Sequence, residues 1–347
     1  MRILPYPIEN ADHRIYGSFQ LLLPKKFHIQ IMSFFRKYYP VLKWAILVLA
    51  YGFLFYKLST FDNYYDFINQ MKSPDCLQLL WLLLTLVLLP LNWLLEAVKW
   101  RELISDLEQI SLTKSLQTIF SGITTGFFTP NRIGEYPGRA LFLNSGSRVP
   151  AIALGFVGSL AQTLAILVCG VPAAILFFIV SSNASQLSSN ALWVFFAVSG
   201  LLLITLYCCL PIISSHCLRY PIKNEKIRNT LQALEAMSGE KLLKVFLLSL
   251  IRYTVFCLQF FLVLRFFGIR LSVAEAVIGI ATNYLFVTFT PSIALSEAAI
   301  RGSYAIIFIG AFTDNVLAVA AAGITLWLIN YCLPMIIGSF VFSKSKL

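Results

Sequence analysis

Apolar positions along the chain gather into long unbroken runs, at about 41–58, 77–98, 149–180, 191–213, 242–267 and 314–342. A bilayer core about 30 Å thick needs about 20 apolar residues as helix. Each run therefore predicts a full membrane span. The 149–180 run is long enough for a tilted or broken helix, and Gly170 with Pro172 marks the expected break. Two further segments, about 115–145 and 273–312, are apolar but interrupted by Thr-Pro and polar residues. The pattern predicts an all-α polytopic membrane protein of about six full spans plus two re-entrant hairpins of broken helix.

Composition strengthens this picture. Of 347 residues, 58% are hydrophobic and 12% charged, and the mean hydropathy is +0.77. A soluble domain carries roughly 25% charged residues, so neither a soluble nor a disordered chain fits. The formal net charge of +11 then concerns topology and anionic headgroups, and nucleic acid is not an expected partner. The cysteines, seven in all, lie mostly in or beside apolar runs without CxxC spacing. They read as packing residues, and no metal site or cofactor is expected.

The charge distribution sets the topology. Lys and Arg crowd the N-terminal segment 1–40, the 99–114 loop, the 214–244 linker and the 343–347 tail. The 59–76 loop carries Asp62, Asp66 and Asp75 against Lys72, and 181–190 has no charge. With the basic loops inside, both termini are cytoplasmic in a cell inner membrane, and the two interrupted segments enter from opposite faces. Arg265 and Arg270 are the one local violation. Segment 1–40 has no signal-peptide pattern, and Met32 offers a second start just ahead of the first span. It is expected to be dispensable to the 41–342 transmembrane domain. The linker reads either as an amphipathic helix on the inner leaflet or as a solvated connector.

The interrupted segments share a motif. The first runs Phe128-Thr129-Pro130, then Gly134-Glu135 and Arg139; the second runs Phe289-Thr290-Pro291, then Glu297 and Arg301. Two such strings at breaks with opposite entry sides point to an inverted repeat, the construction by which transporters build a midplane site. Pro lacks an N–H and disfavours helix before it, so Thr-Pro ends one half-helix and can cap and start another. Broken backbone at membrane depth survives only where protein or a water-filled cavity covers it. Each Glu and Arg, four residues apart, share a helix face. Two readings stand: an internal ion pair, or Arg contacts to a lipid phosphate with Glu balancing them.

Secondary candidates are Asn92 and Glu96, which share a face with Lys99 ahead of Trp100, and Arg252 with Gln259 in the fifth run. Glu96 and Lys99 fit an interface anchor, with Trp100 in an aromatic belt. Arg252, Gln259 and Gln162 fit either a polar path or helix cross-links. Asn330 near Pro334 marks another expected break in the last span.

At these residues the chain resembles the lysylphosphatidylglycerol synthase transmembrane region, a flippase-like family. The resemblance is carried by Asn92-Trp93 through Glu96 to Lys99-Trp100-Arg101, by Gly122 to Gly126, by Thr129-Pro130 with Gly134-Glu135 and Arg139, and by Thr290-Pro291 to Glu297 and Arg301. It implies lipid handling, with translocation between leaflets, over roughly residues 40–342. No aminoacyl-transfer domain is expected after residue 342, and Ser292, Ala294 and Ser296 stand where relatives use glycine. The expected function is binding or translocation of an anionic or isoprenoid lipid, with no catalytic residues assigned. The alternatives are a membrane-embedded transferase on lipid-linked substrates and a non-catalytic partner of a lipid-modifying enzyme.

Overall fold

The computed structural model describes residues 74–127, 129–180, 190–292 and 294–344, with Gly52, Phe55, Tyr56 and Lys72 besides. The run at 41–58, segment 1–40 and most of the 59–76 and 181–190 loops lie outside the described residues. The described part is helical throughout. Helices α1 (Cys76–Leu103), α4 (Arg148–Val180), α5 (Asn190–Leu218) and α7 (Gly239–Phe266) follow four of the predicted spans. The last span is α10 (Val316–Trp327) and α11 (Leu333–Lys344), joined by a π-helical turn at Leu328–Cys332. That turn holds Asn330, where the sequence predicts a break, and the helix instead continues as a single span. Five helices are long and apolar enough to cross a bilayer among the described residues.

Between the spans lie two hairpins. The first is α2 (Leu112–Phe127), a 3₁₀ turn at Pro130–Arg132 and the short α3 (Glu135–Ala140). The second is α8 (Val273–Phe289), which breaks at Thr290-Pro291, and α9 (Ala294–Phe308). Ser272 and Glu275 form a capping box that starts α8, the reciprocal arrangement that satisfies two free N–H groups.

The core is built by close helix crossings. Helices α1 and α7 run antiparallel, joined from end to end by side chains. Gln78 Nε2 donates to Phe266 O (3.1 Å), Gln259 Nε2 to Thr85 O (3.1 Å) and Lys241 Nζ to Asp106 (2.7 Å). In lipid, helices associate through van der Waals packing and hydrogen bonds, which favours small residues at crossings. Gly158 faces Leu103, Gly170 faces Leu285, and Gly323 faces the backbone of Arg301.

Gly170 corrects one expectation. Helix α4 continues without interruption through Gly170 and Pro172. A Cβ on Gly170 would stand 2.9 Å from Leu285 Cβ and 3.2 Å from Ala281 O, so this glycine serves the α4–α8 contact and not a hinge.

The linker corrects another. It holds α6 (Glu225–Glu235), whose start is capped by the Asn224 side chain. Ala233 and the following Met237 are buried in a cluster with Leu154, Val157, Tyr207 and Val245. Its apolar side is spent on the bundle, so α6 is neither a solvated connector nor a helix lying on lipid with that side.

Candidate functional site

The first hairpin turns through glycines and two threonines. Thr129 Oγ1 donates to Gly126 O (3.0 Å) and accepts from Gly134 N–H (2.8 Å). Thr125 Oγ1 donates to Gly134 O (2.8 Å). A Cβ on Gly122 would lie 2.6 Å from Arg139 Cγ and 2.9 Å from Glu135 O, so only glycine lets α2 and α3 approach this closely. Thr129 and Pro130 thus open the 3₁₀ turn as expected. Thr290 differs: its hydroxyl bonds back to Phe286 O (2.8 Å) and to Tyr304 Oη (2.9 Å). It therefore closes α8 and does not cap α9.

The two tips meet. Asn131 N–H donates to Ser292 O (2.9 Å), and Ser292 N–H donates to Asn131 Oδ1 (2.8 Å). Asn131 and Arg132 have φ of 47° and 58°, the left-handed region that residues with a Cβ disfavour. Two such residues in succession cost on the order of 1–3 kcal/mol each. The bonds across the tips hold them there, and they turn Arg132 from the first hairpin onto Glu297 of the second, at 2.9 Å.

Charged side chains collect beside this junction in two clusters. In the first, Glu96 stands among three cations: Arg139 Nη1 at 2.8 Å, Lys99 Nζ at 2.8 Å and Arg252 Nη1 at 2.9 Å. Arg139 also pairs with Glu135. Arg252 donates to Asn92 Oδ1 (2.8 Å) and to Gln162 Oε1 (3.3 Å), and Asn92 reaches Asn330 (3.4 Å). In the second, Glu297 takes Arg301 Nη2 at 2.9 Å beside its bond to Arg132. Tyr331 binds both arginines. Its hydroxyl is 3.0 Å from Arg301 Nη2, and its ring lies 3.4 Å below the Arg132 guanidinium.

Both clusters line one cavity of about 540 Å³, within the range of small-molecule sites. Among the described residues, five cations line it (Lys99, Arg132, Arg139, Arg252, Arg301) against three carboxylates (Glu96, Glu135, Glu297), a formal excess of +2. Such an excess inside apolar helices calls for an anion.

Most of the sequence-predicted residues come together here. Glu135, Arg139, Glu297, Arg301, Asn92, Glu96, Arg252, Thr290 and Pro291 all line the cavity. Thr129 and Pro130 shape its hairpin. Gln259 does not line it; it cross-links α7 to α1. The interface-anchor reading of Glu96, Lys99 and Trp100 is corrected. These residues are 4%, 2% and 0% exposed, because α3 and α4 pack over them and leave no face to a headgroup layer. Sequence reasoning missed Arg132, Asn131, Tyr331 and Asn283. Arg132 stood inside the quoted motif, but its pairing runs to a residue far along the chain, which helical spacing does not reveal.

The family model of the lysylphosphatidylglycerol synthase TM region matches residues 41–338. No curated protein and no solved structure matches the chain significantly.

Proposed function

The chain belongs to the lysylphosphatidylglycerol synthase transmembrane region family, and we propose that it binds the phosphate of an anionic or isoprenoid lipid and carries it between the leaflets of a cell inner membrane. The observation that carries this reading is the cation excess of +2 in the cavity beside the paired hairpin tips. Arg139 and Arg301 take the phosphate, for which the planar guanidinium fork is suited. Glu135 and Glu297 hold these forks in place while the cavity is without lipid. Because the tips meet across two hydrogen bonds, one between backbones and one to the Asn131 side chain, they are the element that parts when the lipid changes leaflet. The basic linker and tail support a topology with both termini in the cytoplasm.

Purified protein in liposomes with headgroup-labelled lipid tests the reading. The wild type should accelerate leaflet exchange. The double variant Glu135→Ala/Arg139→Ala should fold, since Glu96 keeps Lys99 and Arg252, yet lose exchange. Arg139→Lys keeps the charge without the fork and should retain partial activity at best. A stable double variant with full exchange would leave the pair a structural role alone. A new lipid product in place of exchange would support the transferase instead.

A further inference from the structure

Resting on the lipid-phosphate reading, we propose that the phosphate this cavity takes is a monoester dianion and not a diester monoanion. The excess charge is not pooled. In the cluster on the first hairpin, Lys99, Arg139 and Arg252 face Glu96 and Glu135, which leaves one positive charge over. In the cluster on the second hairpin, Arg132 and Arg301 face Glu297, which again leaves one. Both clusters line the same cavity. A guest with two negative charges on one phosphorus neutralises both. A diester neutralises one and strands the other among apolar helices, where an uncompensated charge is costly.

A second observation points to a polar guest. Asn283 lines the cavity from α8, is 1% exposed, and its amide oxygen has no partner among the described residues. A buried amide left in this state is completed by a ligand or by water. Each cluster also keeps a buried guanidinium Nε without a partner among the described residues, on Arg139 and on Arg301. The proposal assigns the lipid class by its terminus: an alkyl or isoprenyl chain ending in a free phosphate.

The test compares two guests that differ by one methyl group, dodecyl phosphate and its methyl ester, binding to the full chain in neutral maltoside micelles at pH 8. The monoester's second pKa is about 6, so it is a dianion there. It should bind at least tenfold tighter than the methyl ester. Arg132→Gln removes one excess charge and should shrink the ratio to about twofold or less. Lys226→Gln, on the exposed side of α6, should leave the ratio unchanged. Because the ratio is taken on one preparation, a partly unfolded variant lowers both affinities and not their quotient. Equal affinity of the two esters overturns the dianion assignment and leaves the lipid-phosphate reading standing. No binding of either ester overturns both. Inorganic phosphate binding as tightly as dodecyl phosphate would show a site for a soluble anion and overturn the lipid assignment.

Discussion

Glu96 is in contact with three cations, and Glu96→Gln tests whether the charge cluster is organised around it. The substitution keeps the shape of the side chain and removes the one ion-pair partner of Lys99 among the described residues. Glu135 remains, but it bonds to Arg139 alone, so Lys99 and Arg252 lose their counter-charge. The Glu96 and Lys99 side chains are 5% and 2% exposed, so water does not replace the lost partner. Breaking a buried pair by removing one member costs about 3–5 kcal/mol. For a chain of this size that is a fall in melting temperature on the order of 10 °C. Glu135→Gln is the comparison, because its side chain is 21% exposed and Arg139 keeps Glu96. It should cost no more than about 1–2 kcal/mol. The assay is thermal unfolding in detergent, with retention of the folded monomer on size exclusion as the second readout. Adding Lys99→Met to Glu96→Gln should recover part of the loss, with a coupling on the order of 1 kcal/mol or more. Equal melting temperatures for Glu96→Gln and Glu135→Gln would refute this account of the cluster.

Three further outcomes follow from other parts of the molecule. Gly122→Ala should cost about 1–3 kcal/mol and reduce leaflet exchange, whereas Gly200→Ala, with nothing within 4 Å of its added Cβ, should be neutral in the same melting and exchange assays. Single cysteines at 219–228 should resist a membrane-impermeant maleimide added outside, while those at 181–190 react, in a cysteine-free background; labelling of 219–228 in intact cells would reverse the topology. Partial burial pushes the Glu108 carboxyl up, but the Asn144 N–H and the Lys114 ammonium outweigh it and hold it below the usual value. A depressed carboxylate contributes stability that is present at neutral pH and lost as pH falls below about 4.5 through the folded value. Glu108→Gln should therefore lower the melting temperature at pH 7 and flatten its acid-side decline.

What could be read ahead of the structure was whatever depends on local periodicity. Five of the apolar runs, those within the described residues, located their helices within a few residues, because a membrane span must satisfy its backbone within itself and stay apolar along its length. The Thr-Pro breaks located both hairpins, since proline's missing N–H acts on its own neighbours. The i,i+4 Glu–Arg pairs closed as the helix repeat requires. Reasoning of this kind fails where a residue has two jobs that local sequence cannot separate. Gly170 and Pro172 look like a hinge until α8 is laid against them. Glu96 and Lys99 look like an interface pair until α3 and α4 cover them.

Arg132 is the sharpest case, and it bears on how the site works. Nothing in its neighbourhood predicts a left-handed backbone at both Asn131 and Arg132. The conformation exists because Ser292, 161 residues away, returns two hydrogen bonds to Asn131. The strain, the tip contact and the Arg132–Glu297 pair are therefore one unit: release any of them and the others lose their support. An anion entering the cavity competes with Glu297 for Arg132, so it weakens the junction that closes the tips over it. Ser292→Pro removes the N–H that binds Asn131 Oδ1, and should uncouple the tips without touching a charge. The expected result is lipid binding within about threefold of wild type but a changed exchange rate. Loss of binding and exchange together, in a protein that still melts cooperatively, would show instead that the tips belong to the binding site itself.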